Sequence, residues 1–255
     1  MKIPEIRRTS IVLGISLAFL LYPSQSKANI EDSPLDWGST QVNLLLHDRP
    51  QLQSIVTKGN KIWDWLTSAF GSTNEGIKIH WDASPLSDFG PYDAESHWLY
   101  DSNNVYVRAG RFHRNGSTIG SERLPEEILF SIVFELNNVK YRDENLKLRS
   151  LASEGRISRE DYVRGIAKCE YLASQETGIF YRNIWTPFCV ETDFNLNPHI
   201  WITARDVSFD QWLSQYPSNF FYPWKFYGKQ YDIIREQRIN PKELNGSSRN
   251  QTISG

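Results

Sequence analysis

The chain has 255 residues, 40% of them hydrophobic, with 28 basic and 30 acidic side chains and two cysteines. That is ample for a domain with a real core. Charge close to balance leaves no basic stripe to neutralise phosphates, which argues against a nucleic-acid partner.

Residues 1–28 combine a basic start (Lys2, Arg7, Arg8), an apolar stretch from Ile11 to Tyr22, and small residues at Ser26 and Ala28. This is the three-part layout of a secretory signal peptide ending at Ala28. The stretch is shorter than the roughly 20 residues a membrane helix needs. The expected product is secreted or periplasmic, with no integral membrane span after processing. The general secretory route is favoured, and the Arg7–Arg8 pair leaves Tat export open. Residues 1–28 hold four basic residues and one acidic residue, so their removal leaves 24 basic and 29 acidic residues, a formal charge of −5.

Residues 29–48 read as a linker, and 49–239 as a single α+β domain. In 49–70 the residues Leu52, Ile55, Val56, Ile62, Trp63, Leu66 and Phe70 form one stripe at helical spacing, with Pro50 at the start and Gly71 as the stop. Residues 76–82, GIKIHWD, alternate with the period of a half-buried strand. HWLY and VYVRAG read as a hairpin around 101–104, the basis for expecting a small antiparallel sheet.

Pro125 with Glu126 and Glu127 behind it suits the positive end of a helix, so a helix opens there. It extends toward Ser153 with a break near Asn137 and Asn138, and Gly155 is the stop. Ser158 and Asp161 open a further helix over about 159–184. The aromatic-rich part, 200–239, accommodates short helices at about 208–216 and 229–239. The tail 240–255 is polar and reads as flexible.

Within ILFSIVFELNNVKY, residues 128–141, one carboxylate interrupts an apolar run: Glu135. A carboxylate stripped of water requires a cationic, metallic or hydrogen-bonding partner, or a raised pKa. A structural ion pair with Arg149, Arg164 or Arg182 is one solution.

The order helix, strand, hairpin, Glu-bearing helix, second Glu-bearing helix over about 76–184 resembles the zincin-like metallopeptidase core, in its gluzincin branch. There HExxH supplies two zinc ligands and a general base, and a Glu on a following helix is the third ligand. The aligned pentapeptide here is FELNN. The resemblance places Glu135 at the general-base position and Phe134 and Asn138 at the two His positions. Glu170, 32 residues after Asn138, takes the place of the third ligand. Phenylalanine cannot bind zinc and an amide oxygen is a poor substitute for imidazole. The resemblance therefore implies a pseudo-metallopeptidase with Glu135 as relic catalytic residue and no zinc or other cofactor expected. A harder divalent cation held by oxygen ligands stays open. Weak metal candidates besides Asn138 and Glu170 are His97 and His113, which flank the hairpin.

Cys169 and Cys189, 20 residues apart, read either as one disulfide, worth about 3 kcal/mol in the chain-entropy model, or as two buried thiols. Sequons at Asn115, Asn245 and Asn250 matter only in a glycosylating host. No GxSxG elbow or phosphate loop occurs. The alternative function is an exported or envelope-associated protein that binds glycan or peptide through aromatic faces, for which exposed rings near 212–227 are the criterion.

Overall fold

The computed structural model describes residues 34–73, 76–82, 96–98, 103–108, 110–112, 118–201 and 207–239. The signal segment, the sequons, His113 and the tail 240–255 lie outside these residues. The chain divides into two compact units: unit 1 takes residues up to Leu136 together with Phe180–Trp201, and unit 2 takes Asn137–Ile179 together with residues from 202 onward. The sequence reading placed one domain over 49–239. Two of the three crossings, at 136/137 and 179/180, fall inside helices, where no Pro, Gly or Ser run marks them.

Unit 1 opens with α1 (Pro34–Asp48) rather than a linker. Gly38 explains how this Gly- and Ser-containing segment becomes a helix. A Cβ at Gly38 would stand 2.0 Å from the Thr67 carbonyl oxygen, so its absence lets α1 close on α2 (Lys61–Phe70). Tertiary packing here overrides weak propensity. Trp37 also donates its indole N–H to the Ile77 carbonyl at 3.1 Å, fixing α1 to the first strand.

The stripe read over 49–70 is buried throughout, from Leu52 to Phe70. It is not one helix. A 3-10 turn at Pro50–Ser54 precedes α2, and Gly59, at φ +87, turns the chain between them. Asn60 then caps α2, accepting the Trp63 N–H at 2.8 Å and donating to the Ile55 carbonyl at 3.0 Å. A cap of this kind contributes about 1 kcal/mol.

The main sheet has the order β1 (Lys78–Asp82), β3 (Asn104–Arg108), β2 (Ser96–Trp98). The expected hairpin is present: β2 runs antiparallel to β3, with His97 opposite Tyr106. The expected all-antiparallel sheet is not. β1 pairs β3 in parallel, with His80 beside Tyr106. Residues 83–103 supply the dozen or more residues that a parallel crossover requires, whereas the short β2–β3 link permits only a hairpin. A second, two-stranded antiparallel sheet joins β4 (Gly110–Phe112) to β5 (Thr118–Glu122).

The chain then enters α3 (Pro125–Val139), whose residues 137–139 already belong to unit 2. The break expected near Asn137 falls just later, at Lys140–Tyr141, before α4 (Arg142–Glu154). Gly155 ends α4 at φ +73, and Arg156 N–H bonds back to Leu151 at 2.9 Å, a left-handed stop that glycine makes without strain. Ser158 accepts the Asp161 N–H at 3.1 Å and opens α5 (Arg159–Phe180). In unit 1 the chain continues through a wide turn at Tyr181–Trp185 into α6 (Thr186–Thr192). Unit 2 is completed by α7 (Phe209–Leu213), capped by Ser208 and Gln211, and by α8 (Phe226–Ile239). The chain is thus helix-rich α+β. Among the described residues no helix is long and apolar enough to cross a membrane.

Candidate functional site

Pro125 at the start of α3 and the acids behind it set the helix in place, with the Leu124 N–H bonded to the Glu127 carboxylate at 2.8 Å. The apolar run that follows is buried: Ile132, Val133, Phe134 and Leu136 are all core residues, and Glu135 among them is only 2% exposed. Its backbone position puts it one turn beyond Ser131 on the same helix face. Ser131 accepts a hydrogen bond at 2.6 Å from the guanidinium of Arg123, which is itself fully buried. Arg123 also donates to the Arg108 carbonyl at 3.0 Å and the Glu127 carbonyl at 2.7 Å. The Arg123 guanidinium is thus fixed against the residue one helical turn before Glu135.

The residues at the two histidine positions have other roles. Phe134 stacks against Phe130, ring centres 6.2 Å apart, as part of the core. Asn138 is half-buried and belongs to unit 2. Of the arginines considered as partners for Glu135, Arg149 lies on α4 in unit 2, Arg164 is bonded to Asp210 at 2.9 Å in unit 2, and Arg182 is exposed. Arg123 and Arg108, the buried arginines among the described residues of unit 1, were not singled out from the sequence, because an arginine in SERLPEE carries no local sign of burial.

Glu170 sits on α5 in unit 2 and is 7% exposed. The sequence alone allowed it an exposed helix face. Instead, Tyr222 donates to its Oε2 and Tyr227 to its Oε1, so each carboxylate oxygen has a phenol. Burial pushes its pKa up to about 7, against the lowering effect of the two hydroxyls. Burial, then the nearby Glu170 charge, also raise the Tyr216 phenol. These rings continue a ladder: Tyr171 against Trp212, Trp212 against Tyr216, Tyr216 against Tyr222 and Tyr222 against Tyr227, at 5.2–5.8 Å between ring centres.

A third buried carboxylate escaped the sequence reading. Glu126, in the first turn of α3, accepts the indole N–H of Trp185 at 3.0 Å and of Trp201 at 2.8 Å on the same oxygen. Burial raises its pKa, while the two indoles and the Asn197 backbone oppose the shift. Trp201 stands among Phe130, Phe180, Tyr181 and Trp185, so Glu126 is the polar centre of an aromatic core.

His80 bonds Asn104 at 2.8 Å through Nε2 and stacks on Tyr106, a sheet contact. His97 occupies a β2 register position opposite Tyr106. Among the described residues no group of three or more His, Cys, Asp or Glu side chains is arranged to hold a metal ion. The cysteines are free thiols rather than a disulfide: Cys169 is packed within unit 2 and Cys189 within α6 of unit 1. Burial pushes the Cys169 thiol up to about 12 and the Cys189 thiol up to about 11.

Burial of the aromatic segment 212–227 is divided. Phe226 and Tyr227 are buried, Trp212, Tyr216, Tyr222 and Trp224 are half-buried, and Phe220 and Phe221 are exposed. Neither a family model, nor a curated protein, nor a solved structure matches this chain.

Proposed function

We propose that this chain is an exported, zincin-like protein without zinc-peptidase chemistry, in which Glu135 is kept as a structural carboxylate. The observation that carries this reading is the surroundings of the FELNN segment. Glu135 is buried one turn from the Arg123–Ser131 bond, while Phe134, at the first ligand position, is built into the hydrophobic core. An antiparallel edge strand followed by a buried helix that bears a carboxylate supports the reading, although β1 pairs in parallel where an antiparallel sheet was expected. Glu170 fits it as a residue whose oxygens now accept from tyrosines. An aromatic-faced binding role is the second reading, favoured by the exposure of Phe220 and Phe221.

The test is metal analysis and a peptide-hydrolysis assay on the purified protein, paired with Glu135→Gln. The expected outcome is no stoichiometric metal, no hydrolysis, and a stability loss of about 1–3 kcal/mol in the variant, because a compensating charge leaves a core that also holds Arg123. Bound zinc or a hard divalent cation that disappears with Glu135→Gln would overturn the reading.

A further inference from the structure

Residues 211–231, QWLSQYPSNFFYPWKFYGKQY, contain nine aromatic residues, two lysines and no Asp or Glu, in a chain whose overall charge is negative. In unit 2 this segment forms the end of α7, the loop after it and the start of α8. The loop tip is exposed from Pro217 to Phe221, with Phe220 at 42% and Phe221 at 40%. Two adjacent phenylalanines, each about two-fifths exposed, make a small apolar tip, and its pairing with the nearby lysines is what gives it a direction.

The tip is held from behind. Tyr222 is bonded to Glu170, the Trp224 indole N–H reaches the Tyr216 carbonyl at 2.6 Å, and Phe221 lies 5.8 Å from Phe226, ring centre to ring centre. Exposure of the two rings is therefore built into the loop. Behind the tip come the half-buried Tyr216, Tyr222 and Trp224, and then two exposed lysines four residues apart, Lys225 just before α8 and Lys229 in its first turn. The first carboxylate beyond them, Asp232, is paired with Arg159 at 3.2 Å. On the α7 side Asp210 is paired with Arg164 at 2.9 Å.

We propose that this loop is a docking surface for an anionic phospholipid bilayer. Phe220 and Phe221 would enter the acyl boundary, the Tyr and Trp rings behind them would sit at headgroup depth, and Lys225 and Lys229 would meet lipid phosphates. The sequence of apolar tip, amphipathic aromatic waist and basic collar follows the polarity gradient of a membrane interface. A bilayer also accepts apolar tips without a shaped cavity, and the absence of carboxylates over 211–231 matches its negative surface potential. The proposal does not depend on the pseudo-peptidase reading, which concerns α3.

The experiment is vesicle co-sedimentation of the chain from Asn29 onward, with phosphatidylcholine vesicles that contain or lack phosphatidylglycerol. Trp emission is followed in parallel. The wild type is expected to sediment with the phosphatidylglycerol vesicles, with a blue shift, and to dissociate at high salt. Lys225→Gln with Lys229→Gln should weaken partitioning about fivefold per lysine. Phe220→Ser with Phe221→Ser should weaken it about tenfold or more. Both pairs lie on exposed positions and should keep the wild-type melting temperature; if the Phe pair does not fold, the Lys pair alone decides. Failure of the wild type to sediment, or equal partitioning of wild type and both variants, would overturn the proposal. Concentration-dependent dimerisation without lipid, abolished by the Phe pair, would also overturn it and assign the surface to a second copy of the chain.

Discussion

Glu126→Ala is expected to destabilise the protein by about 3 kcal/mol, since it strands two buried indole N–H groups at once and each unsatisfied group costs about 1–3 kcal/mol. Trp185 and Trp201 share the Glu126 Oε1 atom, and both indoles lie in the aromatic core of unit 1. Glu126→Gln keeps a carbonyl oxygen for the same two donors and should cost much less. Its pH response should also differ. Burial raises the folded-state pKa of Glu126 above its unfolded value, so its contribution to stability is complete below the unfolded pKa and is lost as pH rises through the folded one. The glutamine variant lacks that loss. Urea denaturation followed by Trp fluorescence, with near-UV circular dichroism of the native state, checks both points. An alanine variant as stable as the wild type would mean that the two indoles find other acceptors.

The second large effect belongs to Glu170. Its pKa rises from the ordinary value of 4.5 to about 7 on folding, chiefly through burial. The stabilisation linked to this group is present in full below pH 4.5 and disappears as pH rises through about 7, a change of about 3 kcal/mol. Glu170→Gln removes the titration while leaving an amide to meet Tyr222 and Tyr227. The expected result is a difference curve: the variant gains on the wild type steadily between pH 5 and pH 8. Urea midpoints at those two pH values are the measurement, and a variant with the wild-type slope would show that some other group carries it. Tyr227→Phe takes away one of the donors that lower the pKa, so in that variant the loss of stability should move to higher pH.

Local pattern made much of the architecture legible. The buried stripe from Leu52 to Phe70, the strand at 78–82, the β2–β3 hairpin, the Gly155 stop and the Ser158 cap all follow from interactions within a few residues or from simple periodicity. What escaped was non-local. The parallel β1–β3 pairing depends on a crossover of 21 residues, and α1 forms because Gly38 permits contact with Thr67, 29 positions away. Glu135 was conspicuous because its sequence neighbours are apolar. Glu126 was not, and Glu170 stood out only through the family resemblance, since their partners stand 52–75 residues away along the chain, at Trp185, Trp201, Tyr222 and Tyr227.

The two unbridged cysteines bear on how the folded chain meets thiol reagents. With burial holding Cys169 and Cys189 protonated, neither sulfur offers much of the thiolate that oxidants and disulfide exchange consume. No covalent cross-link between them has to form before the native state is reached. A thiol reagent should therefore label either sulfur quickly only once the native packing opens.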